Sequence, residues 1–116
     1  MKRGDVVLTY VSNVGSPGGK YRPAVIVQSD ALNARLKETM IAAVTSNITR
    51  AGQPHQLLID ISTEDGKATG LLHNSAVRCE RIQTIPQSDV HRTIGRLSPP
   101  LLKALDDSLK AALEIP

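Results

Sequence analysis

The chain has 116 residues, 41% of them hydrophobic and 22% charged, a composition typical of one globular domain spanning 1–116. It contains no Phe or Trp, two Tyr and one Cys, which excludes an internal disulfide and a cysteine-based metal site and limits stacking on nucleic-acid bases. The net charge of +3 is compatible with a nucleic-acid partner without requiring one. No long uncharged apolar run follows the N-terminus, so we expect a cytoplasmic protein without a signal peptide or membrane span.

The first predicted strand is the apolar run from Val6 to Val11, bounded by a Gly-Asp pair. The loop that follows, Ser12 to Gly19, contains three Gly and one Pro and leads directly to a cationic segment. Two interpretations stay open for this loop: a gate over a ligand site, or a plain hairpin connection. It has no phosphate-binding glycine motif.

The second predicted strand begins at Pro23 and continues through the apolar residues Ala24 to Val27. Pro suits the first position of a strand because it lacks an N–H. Arg22 therefore lies where a buried strand emerges, and its planar guanidinium matches the geometry of a phosphate. The alternative is that Arg22 only covers the end of the strand with its aliphatic stem.

The middle of the chain predicts a helical turn and two more strands. Ser29 to Asn33 favours a short helix, and Thr39 to Ser46 indicates a buried strand ending in two hydroxyl residues. Thr45 and Ser46 either bond locally to the backbone or orient a phosphate oxygen. Alternation from Leu57 to Ile61, followed by a turn at Glu64 to Gly66, predicts a half-buried strand and hairpin.

Two short extended pieces follow, Ser75 to Glu80 and Arg81 to Ile85. A period of two places Arg78 and Glu80 on the same face. The segment from Arg78 to Arg96 contains four Arg against two acidic residues, so it is rich in groups that match phosphates. Glu80 is either a catalytic carboxylate or only an ion-pair partner of its neighbours.

The C-terminal segment predicts a helix, because Ser98 is a good N-cap and Pro99 suits the first helical position. Leucines recur every fourth residue, at positions 101, 105, 109 and 113, and form a stripe that should pack on the sheet. The predicted fold is therefore α+β: a small, partly open antiparallel β-barrel with one C-terminal helix.

Six segments in this order resemble the MazF/PemK family of endoribonuclease toxins. They are Lys2–Leu8, Arg22–Asp30 with Leu32 and Asn33, Val44–Ser46, Gly70–Leu72 to Ser75–Val77, Arg81–Ile85 and Ile94–Pro99. The resemblance implies an SH3-like barrel of the CcdB/PemK type that forms a homodimer. It also implies cleavage of single-stranded RNA at short sequences without metal or cofactor, and inhibition by a cognate MazE-like antitoxin with an acidic tail.

The resemblance also assigns roles to residues. Arg22 and Thr45 match the pair that faces the scissile phosphate, and Arg78 and Glu80 match an Arg-Cys-Asp triplet with acid and base roles, with Glu here in place of Asp. The expected RNA-binding residues are Gly18, Gly19, Lys20, Ser46, Arg78 and Arg81. A His that helps catalysis in the PemK-like branch is missing from the first loop, and the His at 55, 73 and 91 receive no role.

Two other functions stay open. A gyrase-poisoning toxin of the same fold would depend on a C-terminal tail with a Trp, and this chain has no Trp. A non-catalytic RNA-binding module would need the arginine-rich face but not Thr45.

Overall fold

The computed structural model describes residues 1–12 and 18–116, so most of the predicted gate, Asn13 to Pro17, lies outside the described residues. Within these ranges the strands are β1 (Asp5–Ser12), β2 (Gly19–Ile26), β3 (Glu38–Thr45), β4 (Gln56–Ile59), β5 (Ser75–Pro86) and β6 (Val90–Arg96). The helices are α1 (Asp30–Arg35), α2 (Glu64–Lys67) and α3 (Pro99–Leu113), with a 3-10 turn at Gln87–Asp89.

The described strands form a single antiparallel sheet in the order β4-β5-β3-β2-β1-β6. The sheet is open between its first and last strands, and α3 packs against β4 and β5. The predicted α+β architecture with a C-terminal helix is therefore confirmed. No helix in the described ranges is long and apolar enough to cross a membrane.

The core is aliphatic and divides between the two faces of the sheet. The larger cluster joins Val6, Val25 and Val77 to Leu105 of α3, and the smaller one contains Val7, Ala24, Ile26 and Ile41 on the opposite face. Successive residues of β1 and β2 alternate between the two clusters because side chains alternate across a strand. Both faces of the central strands are thus covered, as the unbroken apolar runs predict.

Helix α3 begins as predicted. The Ser98 hydroxyl accepts a hydrogen bond from the backbone N–H of Leu101, and Pro99 occupies the first helical position. Leu105 is fully buried, but Leu113 is 58% exposed, so the leucine stripe extends one turn beyond the core. Arg3 ties the N-terminal segment to this helix through an ion pair with Asp106, with 2.6 Å between Nη2 and Oδ1.

The predicted hairpin at Glu64 to Gly66 is wrong. The segment forms helix α2, whose N-cap Thr63 accepts a hydrogen bond from the Gly66 N–H at 2.9 Å. A capping Thr followed by two acidic residues favours the start of a helix, because both satisfy or complement its free N–H groups. Strands β4 and β5 are still antiparallel neighbours, but a longer connection through α2 joins them.

The two predicted extended pieces at 75–80 and 81–85 are one strand with an irregular centre. Ala42 of β3 pairs with Ile82, whereas the next residue, Ala43, pairs with Arg78. Cys79, Glu80 and Arg81 therefore form a bulge in β5, held partly by a hydrogen bond from the Cys79 N–H to the His55 carbonyl at 3.1 Å. Bulges redirect side chains and are frequent beside functional sites.

Two glycines allow the connection after α2 to lie directly on β6. Gly70 has a φ of +74°, and a Cβ atom there would lie 2.1 Å from the carbonyl oxygen of Ile94. A Cβ atom on Gly95 would lie 2.3 Å from the carbonyl carbon of Thr69. This close approach fixes the position of residues 70–73, which line a concavity of about 620 Å³.

Gly95→Ala is expected to lower the free energy of unfolding by about 1–3 kcal/mol, because backbone atoms must move to admit the methyl group. Gly52→Ala is the matched control, since no atom lies within 4 Å of the added methyl and the change should be neutral or slightly stabilising. Urea denaturation of both variants checks this. Equal midpoints for the two would mean that the contact relaxes without cost.

Candidate active site

Two concavities meet between the middle of β2 and the C-terminal end of β3. The first has a volume of about 620 Å³ and the second about 560 Å³. Four residues line both: Arg22, Pro23, Val44 and Thr45. A smaller polar concavity of about 220 Å³ adjoins them and is also lined by Thr45. Arg22 and Thr45, which the sequence singles out, therefore lie where the two larger concavities adjoin and form a groove.

Arg22 is exposed and its backbone is fixed. The buried Thr9, opposite it in the β1–β2 register, donates its hydroxyl to the Arg22 carbonyl at 3.4 Å. Among the described residues, 1–12 and 18–116, no carboxylate oxygen lies within 4.0 Å of the Arg22 guanidinium. Its positive charge is thus not neutralised by an ion pair with these residues and is directed toward the groove.

The Thr45 hydroxyl has a local partner. Its Oγ1 accepts a hydrogen bond from the backbone N–H of Asn47 at 3.1 Å, which is the local bond expected at a strand end. Because this bond uses only a lone pair, the hydroxyl proton is still available to a ligand oxygen. The two interpretations of Thr45 are therefore compatible: it closes the strand and presents a donor to the groove.

Glu80 is held by a cluster of polar side chains. Its Oε2 accepts hydrogen bonds from Gln56 Nε2 at 3.0 Å and Arg78 Nε at 3.3 Å, and His55 Nε2 lies at 3.8 Å. Partial burial raises the pKa of Glu80. The hydrogen bonds from its own backbone, Gln56 and Arg78, with the charge of Arg78, outweigh that effect, so the pKa is lowered overall. Glu80 is therefore an anion at neutral pH, and its predicted shared face with Arg78 is confirmed.

The cluster also determines the orientation of the Gln56 side chain. An ionised carboxylate only accepts hydrogen bonds, so the Gln56 amide must direct its NH₂ group toward Glu80. Strand pairing places Gln56 directly opposite Arg78. Between the two members of the ion pair, Cys79 is buried, and burial raises the pKa of its thiol to about 11. That thiol stays protonated and is not a nucleophile at neutral pH.

The bulge brings Glu80 and Arg81 to the second concavity, which Arg78 and Arg22 also line. Ser46 lines the first concavity. The other residues expected to bind RNA line none of the three concavities. Gly18 precedes β2, and Gly19 and Lys20 are the first residues of that strand. The structure therefore brings together most of the site residues expected from the sequence, but not Gly18, Gly19 and Lys20.

Sequence reasoning missed two groups in the first concavity. His73 and Arg92 line the first concavity and not the second, whereas Glu80 lines only the second, and Arg22 and Thr45 line both. His73 precedes β5 and Arg92 lies in β6, so neither belongs to a local motif with Arg22. The segment rich in Arg indicated Arg92 in general terms, but no signal in the sequence singled out His73.

Comparison with known proteins identifies the family. A family model described as the PemK-like, MazF-like toxin of type II toxin-antitoxin systems matches residues 2–113. The chain belongs to this family. Its MazF-like relatives include the endoribonuclease EndoA of Bacillus subtilis, 30% identical over 99% of this chain and 96% of EndoA. The endoribonuclease MazF9 of Mycobacterium tuberculosis is 35% identical over 99% of this chain and 98% of MazF9.

Solved structures of MazF-like toxins share the fold. A mycobacterial endoribonuclease in complex with its cognate antitoxin has a TM-score of 0.78 at 21% identity, covering 100% of this chain and 97% of that chain. A MazE–MazF structure from Deinococcus radiodurans has a TM-score of 0.76 at 16% identity, covering 100% of this chain and 98% of that chain. The family resemblance inferred from the six segments is confirmed.

Proposed function

We propose that this chain is the toxin of a type II toxin–antitoxin pair and a metal-independent, sequence-specific endoribonuclease. It cleaves single-stranded RNA by attack of a ribose 2′-OH on the adjacent phosphate. The observation that carries the proposal is that Arg22 and Thr45 both line the two main concavities where these adjoin. The relatives named as endoribonucleases support the same reaction class.

The reaction requires three things of the protein. Positive charge must stabilise the phosphorane oxygens, a base must take the 2′-OH proton, and an acid must protonate the leaving 5′ oxygen. Arg22 meets the first requirement, because its guanidinium keeps its proton and binds two phosphate oxygens at once. Thr45 donates its hydroxyl to a non-bridging oxygen of the same phosphate.

The base and acid are assigned by their position relative to that phosphate. Attack and departure occur in line, so the base and the acid act from opposite sides of the phosphorus. Glu80 lines one concavity and His73 the other, and Arg22 and Thr45 line both. Glu80 is ionised and accepts the proton, whereas a protonated imidazole at His73 donates one. Arg78 is not the acid, because a guanidinium is too weak an acid to protonate a leaving group. Its role is to hold Glu80 and to bind the phosphate.

The proposal includes two protein partners. A homodimer would extend the cationic groove across two copies of the arginine-rich segment. An antitoxin with an acidic, disordered tail would bind in the same groove by charge complementarity with Arg22, Arg81 and Arg92. The solved complexes of MazF-like toxins with antitoxins support this assignment. Sedimentation velocity at micromolar concentration checks the dimer, and a monomer would contradict it.

The test is incubation of the purified protein with single-stranded RNA in EDTA. The proposal expects cleavage at defined sites, no cleavage when the nucleotide 5′ of the scissile phosphate is 2′-deoxy, and full inhibition by the antitoxin. Retention of intact RNA would indicate a non-catalytic binding module, and inhibition of gyrase supercoiling without RNA cleavage would indicate a gyrase poison. Either of these outcomes overturns the endoribonuclease assignment.

A further inference from the structure

The chain's only two Tyr side chains pack against each other on the surface. Tyr10 and Tyr21 are paired across β1 and β2, with ring centroids 5.5 Å apart in an edge-to-face arrangement. The imidazole of His91, in β6, lies 4.5 Å from the Tyr21 ring with planes inclined by 37°. These three residues, here called the aromatic platform, come from three neighbouring strands.

The platform does not serve the core. Tyr10 is 44% exposed and Tyr21 is 55% exposed, whereas the core clusters are built from aliphatic residues and Cys79. Aromatic rings usually contribute to stability through burial, so a fold with two Tyr that leaves both exposed gains little from them. Exposed rings gathered in one place instead provide flat π surfaces for a ligand.

The platform lies beside the groove. Tyr10 and Tyr21 lie two residues from Leu8 and Pro23 on β1 and β2, so they share a face of the sheet with these two residues, which line the first concavity. Lys20 precedes Tyr21 and is also exposed. Arg22 and Arg92, each next to a ring in sequence, line this same concavity. An RNA strand whose phosphates bind there would therefore have bases close to the rings.

We propose that the aromatic platform stacks nucleobases of the single-stranded RNA whose phosphate is bound at Arg22. The proposal rests on the proposed function and adds the surface that holds the substrate next to the scissile bond. Every base has a π face, so the platform contributes affinity and fixes the register of the strand. The platform is not expected to discriminate among the four bases.

RNA is favoured over an apolar protein surface by the charges around the platform. Lys20, Arg22 and Arg92 flank it in sequence, and none of these three cations forms an ion pair within the described residues. An apolar protein surface would leave three cations to be desolvated without partners, which is costly. A polyanion with stacked bases neutralises the cations and covers the rings at once.

The experiment uses the Tyr fluorescence of the full chain, which reports only the platform because the chain has no Trp and no other Tyr. Titration with an uncleavable 2′-O-methyl RNA should quench this emission, and an oligonucleotide with abasic residues in place of bases should quench it far less. Tyr21→Ala should weaken RNA binding about 5- to 20-fold. Tyr21→Phe, which keeps the ring, should bind within about twofold of the parent.

The dependence of affinity on salt separates stacking from charge. Tyr21→Ala should leave the slope of log K against log salt unchanged, whereas Lys20→Ala should make it shallower by about one phosphate contact. Leu113→Ala removes an exposed apolar side chain at the end of α3 and should change neither affinity nor slope. A general structural defect in the Tyr21 variant would move its urea midpoint as well, and no such change is expected.

The outcomes distinguish this proposal from the one on which it rests. If the RNA binds but Tyr emission is unchanged and Tyr21→Ala binds normally, the platform proposal is wrong and the endoribonuclease proposal stands. If Tyr21→Ala instead reduces the sedimentation coefficient of the free protein, the rings form a contact between copies and the proposal is also wrong. Failure of the parent to bind any RNA overturns both.

Discussion

Arg22→Ala is expected to lower kcat for RNA cleavage about 100- to 1000-fold, which corresponds to about 2.7–4 kcal/mol of transition-state stabilisation. The negative charge on the phosphorane oxygens grows in the transition state, and Arg22 provides positive charge at the junction of both concavities. The side chain is exposed and makes no ion pair with the described residues, so its loss should not change the free energy of unfolding.

Single-turnover cleavage of a short RNA, with urea denaturation in parallel, checks this prediction. Arg22→Lys should recover only part of the rate, because an ammonium keeps the charge but cannot bind two oxygens in one plane. Arg35→Ala, which removes an exposed Arg from the last turn of α1, is the matched control and should cleave at the parental rate. Parental activity in Arg22→Ala would mean that another group binds the phosphate.

Local sequence rules predicted most of the strands and α3, since their signals lie within a few residues. Pro23 followed by four apolar residues specified the buried part of β2, and Ser98-Pro99 specified the start of α3. The same rules failed at Glu64 to Gly66, where a turn and a short capped helix have nearly the same composition. In the helix that forms there, Gly66 packs directly against the backbone of Asp60. A Cβ atom on Gly66 would lie 1.8 Å from the Asp60 carbonyl oxygen, a contact between residues that the local pattern does not reveal.

Several residues that carry the family resemblance prove to be structural. Asn33 Oδ1 accepts hydrogen bonds from Gln28 Nε2 at 2.8 Å and from the Thr39 hydroxyl at 2.7 Å, all three side chains being buried. Asn33 also donates from Nδ2 to the Gln28 carbonyl at 3.0 Å. This buried network fixes α1 between β2 and β3. It explains why a polar Gln28 follows an apolar strand, and it has no direct part in the site.

The site was only partly predictable because its geometry depends on pairing between distant strands. Thr45 could be selected from the end of β3, whereas Arg22, expected just before a strand, lies in the middle of β2, which begins at Gly19. The bulge that redirects Glu80 and Arg81 depends on the register of β5 against β3, which no short segment specifies. His73 reaches the groove only because Gly70 and Gly95 let the connection after α2 lie against β6. The aromatic platform likewise requires β1 between β2 and β6.

Glu80→Gln and His73→Ala are each expected to slow cleavage about 100-fold or more, since positioned bases and acids contribute about 10²–10⁴ in rate. The two residues should affect opposite limbs of the dependence of the cleavage rate on pH. A base works when deprotonated, so the rate falls as pH decreases through the pKa of Glu80. Because that pKa is lowered from its ordinary value of 4.5, the acidic limb lies below the usual carboxyl range. An acid works when protonated, so the rate falls as pH increases.

Each variant should therefore remove one limb of the profile: the acidic limb in Glu80→Gln and the alkaline limb in His73→Ala. An RNA with a bridging 5′-sulfur at the scissile bond separates the roles further, because a thiolate leaves without being protonated. With this substrate the defect of His73→Ala should shrink to less than about tenfold, while that of Glu80→Gln persists. Since the sulfur affects only the departing side, equal defects on both substrates would mean that His73 binds the RNA without transferring a proton. The acid would then have to be a group other than His73.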